Sequence, residues 1–447
     1  MLRWRIAILV SVAIAISYLD RQTLPWALSS ISQDIPVSNQ VKAFLDSAFL
    51  VTYGLMYLGG GRLLDWLGTR RGFTVIMVFW SLACASHAFA GNYGMPSVFG
   101  LGFGVLMLAT SRLLLGMGEG GGFPAATRVV TEWFPVRERS IAMGIINGGT
   151  AVGGVVAPPL IVFVLTNLDW LGLAPWRWVF ILTGGFGLLW TVWWWFDYQP
   201  PEQHPGLKAA EREHLKPVMQ GDSELERVRP PDGIAPPAIP LSAILGFRET
   251  WAVILAKFLS DGAWYFYLFW LPKFLLEAFN LDLKTAGRIG WIPYAASGVG
   301  CLCGGALSSW LLRRGMAVNG ARKLALAASA ALMPWVMLVP QLHSVGWVIF
   351  IFSLAFFGQQ SWSTLVMILP TDMIPKRAVG TLAGLVGLGG AMGGVAFGQV
   401  VGYLRDHGSS FTPVLIIAGS LHVLAFIVLC VGIPRIRPLP LSTIPHE

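Results

Sequence analysis

The chain has 447 residues, of which 55% are hydrophobic and only 12% are charged, and its mean hydropathy is +0.64. This composition excludes an ordinary water-soluble domain and indicates that a lipid bilayer is the solvent for most of the chain. The net charge of +8 is expected from basic residues in the loops between membrane spans, so it does not indicate binding to nucleic acid.

Apolar stretches of about 20 residues, the length that a helix needs to cross a hydrocarbon core, recur from end to end of the chain. The first follows Arg3 and Arg5 and has no cleavage pattern of small residues, so we expect a retained helix rather than a signal peptide. The pattern predicts an all-α membrane protein with twelve transmembrane helices, near residues 5–26, 45–64, 73–91, 97–131, 140–165, 176–196, 250–278, 286–312, 322–341, 345–372, 379–403 and 411–433.

Basic residues lie in alternate loops of this predicted arrangement. The loops near 91–96, 166–175 and 342–346 carry no Lys or Arg, whereas both termini and the intervening loops are basic. Because cytoplasmic loops carry an excess of Lys and Arg, we expect both termini to be cytoplasmic. The sequence thus predicts a multi-pass protein of the cell inner membrane.

The predicted spans form two halves, 1–196 and 250–447, with six spans each. The segment 197–249 between them is rich in proline and charge, which is typical of a cytoplasmic linker. The halves repeat at an offset of about 240 residues, since the glycine-rich stretch 144–154 aligns with 384–394. Such a repeat predicts a transporter whose substrate lies near the midplane, between two pseudo-symmetric halves that rock around it.

One loop resembles a known signature. Residues 61–72, GRLLDWLGTRRG, resemble the loop between helices 2 and 3 of the major facilitator superfamily, although Trp66 and Thr69 depart from its pattern. The resemblance implies the major facilitator fold, and it implies that three charged residues of the loop latch one conformation as a gate. The alternative is an exposed turn whose charges only set orientation. The gate residues are Asp65, Arg70 and Arg71.

Further stretches narrow the resemblance. Residues 18–23, 112–128 and 132–139 are similar to the anion:cation symporter family, and residues 257–273 and 360–376 are most similar to its bacterial hexuronate transporters. This resemblance implies a proton-coupled symporter that imports a hexuronate or a related sugar acid by alternating access. The family also carries aldonates, aldarates and aromatic acids, so a uniporter or exchanger of another carboxylate stays open as the alternative.

Ionisable residues inside membrane spans are costly and usually face a cavity, so each one is a candidate for function. A planar guanidinium can hold a carboxylate through two parallel hydrogen bonds, and Arg21 is the first choice for that contact, with Arg112 as a second candidate for substrate binding. Asp20 and Glu119 are the predicted proton carriers. The alternatives are that Arg21 pairs with Asp20 or extends to the outer membrane interface, and that the acids form structural ion pairs.

Arg112 and Glu119 lie seven residues apart, two turns of one helix, and therefore share a face. Gln359 occupies the position of Glu119 in the second half, so the repeat predicts that the second half offers neutral groups. Such groups suit the hydroxyls of a sugar acid. Lys257 and Asp261 are one turn apart and predict a pair, with substrate contact left open. The predicted neutral substrate-binding residues are Tyr53, Asn147, Gln359, Gln360, Trp362 and Ser363.

The sequence lacks the motifs of common enzyme active sites. The spans are accompanied by no Walker loop, HExxH motif or nucleophile elbow, and the cysteines lack the spacing of a metal or redox pair. We therefore expect no enzyme activity, no cofactor and no metal. The expected partners are a small anionic substrate, protons and the lipid bilayer, and we expect a monomer.

Overall fold

A computed structural model describes residues 1–97, 100–219, 240–374 and 376–439. These residues fold mainly into α-helices, and 3-10 turns at His87–Phe89 and Pro334–Gln341 extend two of them. The helices are α1 (Leu2–Asp34), α2 (Asn39–Leu67), α3 (Thr69–Ser86), α4 (Phe103–Glu119), α5 (Gly122–Trp133), α6 (Val136–Asn167), α7 (Pro175–Asp197), α8 (Ala209–Met219), α9 (Leu241–Leu245), α10 (Arg248–Ala278), α11 (Leu283–Ile289), α12 (Ile292–Arg313), α13 (Val318–Ala330), α14 (Val345–Met373), α15 (Lys376–Asp406) and α16 (Thr412–Gly432).

The helical membrane fold predicted from the sequence is confirmed. Among the described residues, ten helical segments are long and apolar enough to cross a bilayer, and α2, bent by 56° between Tyr57 and Gly59, makes an eleventh. The overlong fourth predicted span, 97–131, divides into α4 and α5. Glycine is needed where they meet, because a Cβ on Gly120 would lie 2.7 Å from the carbonyl oxygen of Tyr53 in α2.

The second predicted span begins too late. The structure starts α2 at Asn39, six residues before the predicted boundary at 45, because the side chain of Ser38 caps the helix by accepting a hydrogen bond of 3.2 Å from the backbone N–H of Val41. The added turns bring Lys42 into the helix, four residues before Asp46, which the predicted span already contained. Both side chains are buried in the helical core.

Helices of one half pack mainly on one another, and α2 and α6 also contact the other half. In the first half α1 packs on α6, α2 on α4 and α3 on α7, while in the second α10 packs on α15 and α16, and α12 on α14. The contacts between halves are made mainly by α2 with α15 and by α6 with α12. Between the halves, α1 also contacts α10.

The halves are joined by hydrogen bonds at the end of the molecule opposite the N-terminus. The carboxylate of Asp406, at the end of α15, accepts hydrogen bonds of 2.9 Å and 2.8 Å from the backbone N–H groups of Asn39 and Gln40 at the start of α2. Gln399 donates to the hydroxyl of Ser47 at 2.8 Å. Within the described ranges, all hydrogen bonds between 1–219 and 240–439 lie in this region. This end of the molecule is therefore closed.

At the opposite end, the predicted linker begins with ordered structure. Helix α8 lies within 197–249, and its Glu211 accepts hydrogen bonds of 2.8 Å from the backbone N–H of Leu2 and 2.9 Å from Nη1 of Arg3. Arg3 also pairs with Glu138 at 2.8 Å. Burial raises the pKa of Glu211, but these N–H groups outweigh burial and leave it below its ordinary value. These contacts of Leu2 and Arg3 with Glu211 hold α8 against the first half.

Candidate substrate and proton site

The centre of the first half holds a buried ion pair between α1 and α4. Nε of Arg21 donates to Oε2 of Glu119 at 2.7 Å, and the hydroxyl of Ser17 donates to the same oxygen at 2.7 Å. Both charged side chains are almost fully buried. Ser17 and Arg21 are one helical turn apart, so the same face of α1 supplies both donors. The alternative in which Arg21 pairs with its neighbour Asp20 is wrong, since adjacent residues point to different faces of a helix.

The rest of the Arg21 guanidinium lies among aromatic rings. Its central carbon is 4.4 Å from the ring centre of Tyr53, 4.7 Å from that of Tyr18 and 5.6 Å from that of Phe49. Among the described residues, no hydrogen bond engages its two Nη atoms, and Oε1 of Glu119 also lacks a partner. The two Nη nitrogens of Arg21 are therefore available to hold a carboxylate.

Asp20 faces a different neighbour. Its Oδ2 accepts a hydrogen bond of 2.7 Å from the indole N–H of Trp80 on α3, and its Oδ1 has no partner within the described parts of the chain. The side chain is fully buried and forms no ion pair there. Asp20 is thus a buried acid with one unused oxygen, which is the arrangement expected of a group that can hold a proton.

Arg112 and Glu119 share a face of α4 but do not pair with each other. Its nearest carboxylate is Asp46 on α2, with 3.6 Å between Nη2 and Oδ1, and Asp46 accepts a hydrogen bond of 2.6 Å from Lys42. The nitrogen atoms of Arg112 have no hydrogen-bond partner among the described residues, although the side chain is fully buried. Glu119 lies instead against α1, where Arg21 and Ser17 each donate a hydrogen bond to it.

Lys42 was missed in the sequence because the predicted span began near residue 45, and Asp46, at the edge of that span, was not singled out. The signal that could have found them is their spacing, since opposite charges four residues apart face each other on a helix. Lys42 lies 4.2 Å from the ring centre of Trp270 on α10, and Arg112 lies 5.8 Å from that of Phe269. These cations therefore pack against the second half at the closed end.

The second half contains a buried ion pair of its own. Lys257 and Asp261 on α10 form the predicted pair at 3.0 Å, and Lys257 also donates to the hydroxyl of Ser363 at 2.7 Å. The side-chain amide of Gln359 donates to Asp261 at 3.2 Å, and its oxygen contacts Nε2 of His422. Gln359 thus places a neutral amide at the position equivalent to Glu119, and that amide is engaged by the carboxylate of the neighbouring helix.

The other predicted polar residues vary in placement. Tyr53 and Ser363 join the charged pairs described above, whereas Trp362 is buried against His422 with 5.7 Å between ring centres. Asn147 and Gln360 are half-buried, and no hydrogen bond of their side chains to either pair is present among the described residues. The structure therefore brings together the charged residues and leaves those two amides outside the pairs.

Among the residues that the structure describes, the predicted gate residues form no ion pair with one another. Asp65 pairs with Arg128 on α5, beside a groove of about 430 Å³ that is separate from the central ion pairs. Arg70 donates to the backbone oxygen of Trp195 and lies 4.6 Å from its ring centre, and Arg71 is exposed. The loop signature thus connects α2 to α5 and α3 to α7.

Known proteins are similar to this chain in sequence and in fold. The chain is 27% identical over 430 residues to a hexuronate transporter of Escherichia coli (strain K12), covering 96% of this chain and 93% of the relative. It is 28% identical to a D-galactonate transporter of Escherichia coli O6:H1, covering 97% of each chain. The fold matches the inward-open conformation of the xylose transporter from E. coli with a TM-score of 0.72, at 13% identity, over 97% of this chain and 96% of that one. A family model matches residues 10–398, and the chain belongs to the Major Facilitator Superfamily.

Proposed function

We propose that this protein is a symporter that imports a sugar-acid anion, a hexuronate or a close relative, together with protons by alternating access. The observation that carries the proposal is the buried pair of Arg21 and Glu119, in which both Nη nitrogens of the cation lack a hydrogen-bond partner among the described residues while the acid depends on the cation for charge balance. The alternative is a uniporter or exchanger, in which Glu119 and Asp20 are structural.

The pair supports coupling between anion and proton through competition for one guanidinium. A substrate carboxylate that binds Arg21 can form two parallel hydrogen bonds and weakens the contact with Glu119. A buried carboxylate that loses its cation becomes costly unless it takes up a proton. Substrate binding therefore favours protonated Glu119, and loss of the proton restores the pair and favours release.

Sugar acids are proposed because the relatives named above carry hexuronate and D-galactonate. The site also has suitable groups for hydroxyls, in Tyr53 beside Arg21 and Ser363 beside Lys257. Asn147 on α6 and Gln360 and Trp362 on α14 are proposed as further contacts with the substrate. A buried hydroxyl that meets a matched donor or acceptor contributes to selectivity, because an analogue without it leaves that partner unsatisfied.

The membrane orientation, with both termini cytoplasmic, is proposed from the charge of the loops. In that orientation the end closed by Asn39, Gln40 and Asp406 is periplasmic, and the described conformation faces the cytoplasm. We propose that the protein acts as a monomer with halves 1–196 and 250–447 joined by 197–249. The contact of Asp65 with Arg128 is proposed as part of the cytoplasmic gate.

Transport by purified protein tests the proposal. Proteoliposomes with an alkaline interior should accumulate labelled glucuronate or gluconate when the outside is acidic, and a proton ionophore should abolish the accumulation. Binding can be measured separately as a rise in melting temperature, because a ligand that binds only the folded state stabilises it by mass action. Saturable uptake that ignores the proton gradient would support the uniporter instead.

A further inference from the structure

A second group of buried charges lies in the first half, toward the closed end of the molecule. Lys42 on α2 donates to Oδ2 of Asp46 at 2.6 Å, and Nη2 of Arg112 on α4 lies 3.6 Å from Oδ1 of the same carboxylate. All three side chains are buried. Within the described parts of the chain, two cations thus share one acid, and the group has a surplus positive charge. Lys42, Asp46 and Arg112 are called the outer cluster below.

Arg112 is the unsatisfied member of the outer cluster. None of its three side-chain nitrogen atoms has a hydrogen-bond partner among the described residues. Burial of a charged group is costly unless it is paired and hydrogen-bonded. A purely structural pair with Asp46 should bring the two side chains within hydrogen-bond distance, whereas they are 3.6 Å apart. The N–H donors of Arg112 are therefore available to an anion.

Aromatic rings of the second half cover both cations. The ammonium of Lys42 lies 4.2 Å from the ring centre of Trp270, and the guanidinium carbon of Arg112 lies 5.8 Å from that of Phe269. Contacts of this kind stabilise a cation that is removed from water. Both rings belong to α10, so they move with the second half. A movement that opens the end now closed by Asp406 therefore uncovers the two cations from outside.

One aromatic ring adjoins both the outer cluster and the central ion pair. The guanidinium carbons of Arg112 and Arg21 lie 4.7 Å and 5.6 Å from the ring centre of Phe49 on α2. Phe49 also packs edge-on against Phe269 of the second half, with 6.4 Å between ring centres. A carboxylate released by Arg112 is therefore separated from Arg21 by little more than this ring.

We propose that Arg112 and Lys42 form an outer binding site for the carboxylate of the substrate, which holds the anion while this end is open and then passes it to Arg21. A guanidinium can give two parallel hydrogen bonds to a carboxylate, and the ammonium of Lys42 has two N–H groups besides the one that it donates to Asp46. The surplus positive charge also attracts anions from solution. This inference deepens the proposed function and rests on it and on the proposed orientation.

Neutral substitutions test the outer site without stranding a buried charge. Lys42→Gln leaves Arg112 beside Asp46, and Arg112→Gln leaves Lys42 hydrogen-bonded to Asp46 at 2.6 Å. Each variant therefore keeps one cation for the one carboxylate. A purely structural role of the cluster predicts no loss of substrate capture, because each variant only removes the surplus charge.

Arg405→Gln is the matched control at the same end of the molecule. The guanidinium carbon of Arg405 also lies over an aromatic ring, 4.2 Å from the ring centre of Phe411, and Nη2 pairs with Glu277 at 2.8 Å. Its removal leaves Glu277 paired with Lys273 at 3.2 Å. The control thus deletes a cation with similar surroundings, on the second half and outside the outer cluster.

Uptake of labelled gluconate by intact bacterial cells without another route for gluconate measures capture from the periplasmic side alone. Lys42→Gln and Arg112→Gln should each raise the half-saturating concentration about tenfold, because a charge-assisted hydrogen bond to the carboxylate is lost. The maximal rate, normalised to folded protein in the membrane, should change by less than about threefold. Arg405→Gln should leave both quantities within about threefold of the wild type.

A second measurement closes the periplasmic end. Asn39→Cys and Asp406→Cys, at positions whose side chains are hydrogen-bonded at 2.8 Å, are joined by a short bifunctional thiol reagent in a background without native cysteines. The outer cluster is then sealed, while Arg21 is reached from the cytoplasmic side. Adding Lys42→Gln or Arg112→Gln to the cross-linked protein should leave its gluconate affinity, measured from the rise in melting temperature, within about threefold.

The outcomes separate this inference from the proposed function. Unchanged half-saturating concentrations in the outer-cluster variants would overturn the outer site and leave the proposed function intact. The same conclusion follows if the cross-linked protein loses affinity as strongly as uptake does, because the residues then act on the central site or on the fold. If the wild type neither takes up gluconate nor is stabilised by gluconate or glucuronate, the proposed function itself fails. Should one variant not fold, the other decides the question alone.

Discussion

Arg21 donates its Nε hydrogen to Glu119 on α4 at 2.7 Å, while its guanidinium carbon lies 4.7 Å from the ring centre of Tyr18 and 4.4 Å from that of Tyr53. One guanidinium thus joins the acid that is proposed to carry the proton to the place where the substrate carboxylate is proposed to bind. The predictions below follow from this geometry and from the contacts that surround it.

Replacing Arg21 by Lys should reduce substrate affinity by at least about tenfold, although the charge is kept. An ammonium cannot hold Glu119 and present two parallel donors to a carboxylate, whereas the guanidinium can. A tenfold loss corresponds to about 1.4 kcal/mol. Arg5→Lys is the control, because Arg5 is exposed and pairs with Asp197 away from the site. Equal affinity in wild type and Arg21→Lys, measured by melting-temperature shift, would remove Arg21 from the site.

Transport of a monocarboxylate should respond to membrane potential. Two acids, Asp20 and Glu119, are buried in the core, so we expect more than one proton for each singly charged anion. Two protons with one monoanion carry one net positive charge, worth about 2.3 kcal/mol per 100 mV. At equal pH on both sides, an interior-negative potential of 100 mV should then raise gluconate accumulation up to about 50-fold. Accumulation that is indifferent to potential would refute the two-proton version.

Asp406 should stabilise the closed end of the described conformation. Its carboxylate accepts hydrogen bonds from the start of α2, where the partial positive charge of the helix terminus adds to the attraction. Asp406→Ala should therefore increase the labelling rate of a cysteine introduced at Ser47 about tenfold, in a background without native cysteines. Asp282→Ala is the matched control, since Asp282 caps α11 within one half through Thr285. Equal rates in both variants would show that Asp406 does not hold this end closed.

Acid should loosen the contact of α8 with the first half. The pKa of Glu211 is lowered in the folded protein, because its hydrogen bonds to Leu2 and Arg3 outweigh the effect of burial. A group with a lowered folded pKa contributes stability above its unfolded value of about 4.3, and this contribution is lost as pH falls through the folded value. The melting temperature of the wild type should therefore decline more steeply below about pH 5 than that of Glu211→Gln. Parallel declines would exclude this role of Glu211.

The membrane fold could be predicted because apolar stretches of span length are visible directly in the sequence. The same reasoning found Arg21, Arg112, Asp20 and Glu119, since a charge within such a stretch stands out. It could not assign their partners. Arg112 and Glu119 share a face of α4, yet Glu119 meets α1 and Arg112 meets α2, because helix packing decides which neighbour comes within hydrogen-bond distance.

Two other parts of the site required the structure. Lys42 and Asp46 lie near a helix start, where averaging of hydropathy blurs the boundary of a span. Asp261 could have been matched with Arg21 by applying the 240-residue offset to that position, and the structure shows that the equivalent contact exists.

Glu119→Gln separates coupling from binding and from structure. The amide imitates permanently protonated Glu119, so the empty carrier should fail to return while the loaded carrier still reorients. A purely structural Glu119 would behave differently, because its removal strands buried Arg21 at a cost of about 3–5 kcal/mol and should lower folded yield and all activity together. Yield of monodisperse protein by gel filtration is therefore the control.

The decisive measurement compares uphill uptake with exchange of labelled for unlabelled gluconate in proteoliposomes that contain folded Glu119→Gln protein. The account predicts that uphill uptake is lost and that exchange persists at a substantial fraction of the wild-type rate. Accumulation of gluconate against its gradient by well-folded Glu119→Gln would contradict the account and leave Asp20 as the candidate coupling acid.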